Sequence, residues 1–178
     1  KKNQEEIIVG LIFIFFALGF NVYRVQGDGL YYYSFLEYFL RLPNPESFPN
    51  GFYNPGFQQA GCAFFNAPFY LIAHVIENVF HKICNLNGIT LRTIAINISS
   101  NFYLLLSLML SVKILKLLNF KYIVWPIISI LFSTTAFAAA VIIPSWTHAV
   151  DIFINTLFIY LFLKSNNKNI FSFLSLGF

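Results

Sequence analysis

Four apolar runs, residues 7–23, 94–118, 122–140 and 149–163, constrain this chain more than anything else in it. An α-helix rises about 1.5 Å per residue, and the hydrocarbon core of a bilayer is about 30 Å thick. The first three runs are long enough to approach or span that distance. The fourth is short but extends back through Trp146, and a fifth begins near Asn169 and continues to the end. Only 10% of the 178 residues are charged, against about 25% in a soluble domain. Such a chain lacks the polar residues to cover a water-facing surface. The expected fold is therefore an all-α polytopic membrane protein with four complete spans and a partial fifth. Residues 7–23 are too long for the apolar part of a cleaved signal, and no small-x-small site follows them. The 23 Phe and 10 Tyr suit helices facing lipid and the membrane interface.

Two further apolar segments each carry one polar stripe. Residues 30–42 place Ser34, Glu37 and Arg41 at i, i+3 and i+7; residues 66–84 place His74, Glu77 and His81 at the same spacing. A charge at mid-membrane costs about 2.5–3.5 kcal/mol on insertion scales. Both segments are thus expected to lie along the membrane surface as interfacial helices, with Pro68 near the start of the second and its stripe facing water or a site. "LPNPESFPNGFYNPGFQQ" between them is a Pro/Asn/Gly loop. Residues 24–92 together form an external loop. With the N-terminus cytoplasmic, Lys1, Lys2, Lys113, Lys116, Lys121, Lys164 and Lys168 all fall inside, as the positive-inside rule asks. Were residues 66–84 to span instead, every later segment would flip and Lys113, Lys116 and Lys121 would lie outside.

That orientation gathers the reactive side chains on the outer face. In "VQGDGLYYY", residues 25–33, Asp28 sits between Gly27 and Gly29, just beyond the first run. An ionisable group at such a depth is expensive unless paired or functional. Its plainest role is to cap the helix over residues 30–42. Arg24, Arg41, Lys82 and Arg92 are the outer cations able to hold a phosphate; equally, each can snorkel to lipid head groups. His148 and Asp151 lie i, i+3 on one helix face near Ser145, as orienting groups or as a polar cap on an outer turn. His74, Glu77 and His81 only loosely match a metal spacing and read as a solvated helix face, so no metal is expected. Cys62 and Cys84 are too few for a disulfide framework. Gly-rich phosphate loops, zinc motifs and nucleophile elbows do not occur, and the lysines in short loops speak for topology and not for nucleic acid.

"QGDGLYYY", "NAPFYLIAHVIENVF", "LRTIAINISSNFYLLLSLMLSVKILK" and "PSWTHAVDIFINTLFIYLFLK" follow one another in an order that resembles the N-terminal part of GT-C superfamily glycosyltransferases. The closest type is the bacterial family-39-like one, protein mannosyltransferase or aminoarabinose transferase. The resemblance implies a membrane-helix bundle with external interfacial helices, in the bacterial inner membrane, with its active site on the outer face. It implies a polyprenyl-phosphate sugar as donor substrate, no cofactor, and Asp28 as catalytic base. Protein mannosyltransferases have Asp-Glu where this chain has Asp28-Gly29, so the second acid of that pair is missing. Residues 1–178 would be the N-terminal part of a longer enzyme, because the chain begins without Met and stops in the apolar "FLSLGF". The rival reading is a non-catalytic small membrane subunit packing against membrane protein partners, with Asp28 as a cap. A transporter would need charges within its spans, and the middles of the second and third runs have none.

Overall fold

The computed structural model of the chain describes residues 4–20, 33, 35–36, 61–80, 90–133, 135–142 and 148–165. Among the described residues there is no strand, and five helices of ten residues or more form: α1 (Gln4–Phe20), α2 (Gly61–Val79), α3 (Leu91–Leu117), α4 (Val124–Ser133) and α5 (His148–Lys164). A short α-helical stretch, Thr135–Phe137, and a π-helical segment, Ala138–Ile142, follow α4.

The 27-residue α3 is the axis of the bundle and the one described helix long and apolar enough to cross a membrane. Both its ends are set by sequence. Thr90 caps the start, its Oγ1 accepting the Thr93 N–H at 3.2 Å. At the other end Asn119 takes the left-handed conformation (φ 58°). It donates to the Lys116 carbonyl, and Phe120 donates to that of Leu115, closing a Schellman turn.

Four complete spans, as composition led us to expect, do not appear among the described residues, of which α3 alone is long and apolar enough to cross a membrane. The described parts of the first and fourth runs, α1 and α5, have 17 residues each, about 26 Å at 1.5 Å per residue. Over the third run, Val124–Ser133 and Thr135–Phe137 are α-helical and Ala138–Ile142 is π-helical.

Around the second half of α3 the packing is consistent in direction. The Lys116 ammonium lies 3.2 Å from Glu5 and 3.4 Å from Glu6, so α1 begins where α3 ends. A backbone N–H and Lys116 together hold the Glu5 carboxyl below the usual carboxylate range. Val9, Phe13 and Ala17, one per turn of α1, bury against Leu104, Leu108 and Val112 of α3 and Ile127 and Leu131 of α4. Gly10 lets the two helices approach: a Cβ there would stand 2.6 Å from Met109 Cε. Phe16 meets Phe132, and Phe20 meets Phe137, so α4 runs parallel to α1. Phe153 packs on Tyr103, and Lys113 lies over the Tyr160 ring, so α5 runs parallel to α3. One end of the bundle consequently collects the start of α1 and the ends of α3 and α5; this is the lysine end. Away from the core, Ile7, Leu11, Phe15 and Leu18 of α1 and Phe158 and Ile159 of α5 are exposed.

Residues 66–84 depart from expectation in both limits and direction. The helix starts at Gly61 and ends at Val79, with Pro68 inside it. A helix lying flat across the end of a span would touch it at about one turn. Instead α2 runs antiparallel along the first half of α3: Phe65 with Tyr103, Asn66 with Ser99, Tyr70 with Arg92, Glu77 with Arg92. Of residues 30–42, Tyr33, Phe35 and Leu36 are described. They are helical, and Tyr33 and Leu36 bury against Ala63, Tyr70 and Ile96.

Candidate functional site

Arg92, second residue of α3, is the centre of a polar cluster at the end of the molecule opposite the lysines. Its Nε lies 2.6 Å from Glu77 Oε2, and its backbone N–H donates to Glu77 Oε1 at 3.0 Å. Glu77 therefore serves twice, neutralising the guanidinium and taking an N–H of the first helical turn, where the helix dipole favours an acid. Arg92 Nη1 donates to the Tyr70 hydroxyl at 3.2 Å, and the guanidinium stands 5.9 Å from the centre of that ring. Tyr70 is fully buried, edge-to-face with Tyr33 and nearly parallel to His74. The Asn78 amide nitrogen lies 3.0 Å from His74 Nε2.

Expected as a donor-phosphate ligand, Arg92 is thus held in a pair whose side chains are only 18% and 14% exposed. The stripe of His74, Glu77 and His81 is likewise no solvated face where it is described: Glu77 turns onto α3, and His74 packs on Tyr70. His148 and Asp151 do share the first turn of α5, and both are exposed. They belong to a different locus. Val150, next to Asp151, clusters with Cys62 and Tyr103, and Tyr103 is eleven residues from Arg92, or about 16 Å along α3. The Asn66 amide donates to Cys62 Sγ at 3.7 Å. Asp28, Arg24, Arg41 and Lys82 lie outside the described residues, as do His81, Cys84 and Ser145.

Sequence reading missed two features here. Asn66 and Ser99 are fully buried where α2 meets α3, Ser99 Oγ donating to Asn66 Oδ1, and Asn97 and Ser100 of α3 are fully buried as well. Beside them lies an apolar groove of about 190 Å³ lined by Phe69, Ile72, Ile76, Leu91, Ala95 and Ile98. The signal was Thr90. A helix start there folds the chain back on residues 61–79, and positions symmetric about residue 83, such as Asn66 and Ser99, must then face each other.

Among the described residues no three His, Cys, Asp or Glu side chains converge as a metal site would require. Chemically, the cluster can orient a hydroxyl or hold an anion beside Arg92 and Tyr70; it contains no nucleophile with an activating base. No family model, curated protein or solved structure matches the chain.

Proposed function

We propose that this chain is the N-terminal part of a GT-C-like membrane glycosyltransferase that moves a sugar from a polyprenyl phosphate to an acceptor hydroxyl at the outer membrane face. In this reading α1, α4 with its π-segment, and α5 cross the membrane beside α3, each completed by flanking apolar residues. The observation that carries it is the sidedness of the bundle. Lysines sit at one end, and the half-buried Arg92–Glu77 pair on buried Tyr70 lies toward the other. Phe20, the last described residue of α1, lies on the way from the lysine end toward the cluster's end. Asp28 follows eight residues later, within about 28 Å of reach. The acceptor hydroxyl gives its proton to the Asp28 carboxylate, its oxygen bonds to the anomeric carbon, and the bond from that carbon to the phosphate oxygen breaks. Polyprenyl phosphate leaves as a stable anion, so no strong general acid is required, unlike glycoside hydrolysis.

The test is Asp28→Asn. Asn caps a helix as well as Asp does but cannot accept the proton. Transfer from polyprenyl-phosphate sugar by the protein in liposomes should fall about 10²–10⁴-fold with expression and melting temperature unchanged. Near-normal transfer would overturn the role of Asp28. One observation favours the rival, a non-catalytic membrane subunit: Arg92 is engaged by Glu77 and Tyr70 in joining two helices, a structural use of the cation. Such a subunit shows no transfer before or after the substitution.

A further inference from the structure

Three lysines at the lysine end stand apart from the acids. Among the described residues, ion pairs at this end join Glu5 and Glu6 to Lys116 and involve none of Lys113, Lys121 or Lys164. All three are exposed. Each lies instead against a tyrosine. Lys113 and Lys164 approach the same Tyr160 ring, at 6.0 and 5.7 Å from its centre, and Lys121 stands 5.4 Å from that of Tyr122. Tyr122 and Trp125, early in the chain after α3, are 67% and 73% exposed.

The apolar surface ends at this ring. On α5, Ile154, Phe158, Ile159 and Leu161 are exposed up to the turn that bears Tyr160 and Lys164. On α1, Phe15, Leu11 and Ile7 are exposed back to the turn that bears Glu5 and Glu6. Hydrocarbon face, aromatic ring and ammonium groups follow one another along the bundle axis. That order matches acyl chain, glycerol layer and phosphate in one leaflet.

We propose that the lysine end is a docking surface for anionic phospholipid, with Lys113 and Lys164 converging on one headgroup over Tyr160 and Lys121 engaging another beside Tyr122. Charge complementarity selects an anionic lipid over a zwitterionic one. The zwitterionic headgroup brings its own cation to compete for the phosphate and adds no net attraction. The tyrosine rings hold the ammonium groups at the depth of the phosphates, leaving them less freedom to lose on binding.

The proposal rests on the membrane reading, and one experiment separates the two. Trp146→Phe leaves Trp125 as the sole tryptophan of the chain. The protein is placed in vesicles of phosphatidylcholine or of phosphatidylcholine mixed with phosphatidylglycerol, and either lipid is brominated on its chains. Quenching of Trp125 by brominated phosphatidylcholine reports membrane insertion. Stronger quenching by brominated phosphatidylglycerol reports the docking surface. Preference for the anionic lipid is expected on the order of fivefold for each lysine that engages a headgroup. It should collapse to parity when Lys113, Lys121 and Lys164 are all changed to Gln and survive when all three are changed to Arg. Helical content by circular dichroism checks that each variant folds. Equal quenching by the two lipids, or a preference that persists in the Gln variant, overturns the docking surface while leaving insertion intact. No quenching by either lipid overturns both.

Discussion

Cys62 shows how burial governs reactivity at a single residue. The residue is 7% exposed and sits beside Tyr103 and Val150. Because a reagent must reach the thiolate, a maleimide should label Cys62 far more slowly at pH 7.5 than after unfolding in sodium dodecyl sulfate. Measured in a Cys84→Ser background, equal rates in the two states would refute its burial.

At the scale of elements, the α2–α3 hairpin depends on a clasp that hydropathy could not reveal. Runs of apolar residues marked α3 almost to its limits, and they placed the start of α1 three residues after Gln4, where the described helix begins. Helices extend into polar turns that can satisfy their first N–H groups, here Gln4, Glu5 and Glu6. Hydropathy marked the third run as one continuous segment, because continuity of apolar residues says nothing of the change to π-helix at Ala138–Ile142. It also left Glu77 and Arg92 as unrelated charges, since an ion pair across a turn is a long-range fact. That pair now yields a prediction. Each of Glu77→Gln and Arg92→Gln strands a partner in a mostly buried site and should cost about 2–3 kcal/mol. The double variant should cost less than the sum by about 1–2 kcal/mol, because neither charge is then left alone. Unfolding in mixed micelles measures all three. Strict additivity would show that the two residues do not act as a clasp.

For the whole molecule, the sidedness of the bundle is what ties packing to orientation. Antiparallel α1 and α3, with α4 parallel to the former and α5 to the latter, bring Lys113, Lys116, Lys121 and Lys164 together without any one contact requiring it. Charge counting had placed these lysines on one side of a membrane, whereas the direction of α2 was beyond its reach. An apolar stripe with a few charges fits a helix lying on a membrane as well as one lying against α3; the buried Asn66, Ser99 and Tyr70 decide between them. Moving the lysine end across a bilayer would cost several charges, at about 2.5–3.5 kcal/mol each on insertion scales. Asn166 follows Lys164 by two residues, and Asn50 belongs to the long segment between α1 and α2; both lie outside the described residues. In a background with Cys62 and Cys84 replaced by Ser, single cysteines at these two positions should react with an impermeant maleimide from opposite sides. Cys at 50 should label on intact cells and Cys at 166 only after the membrane is opened. Labelling of both from the same side would put the segment before α2 on the lysine side of the bundle. The proposed meeting of Asp28 with the end that bears Arg92 and Glu77 would then fail.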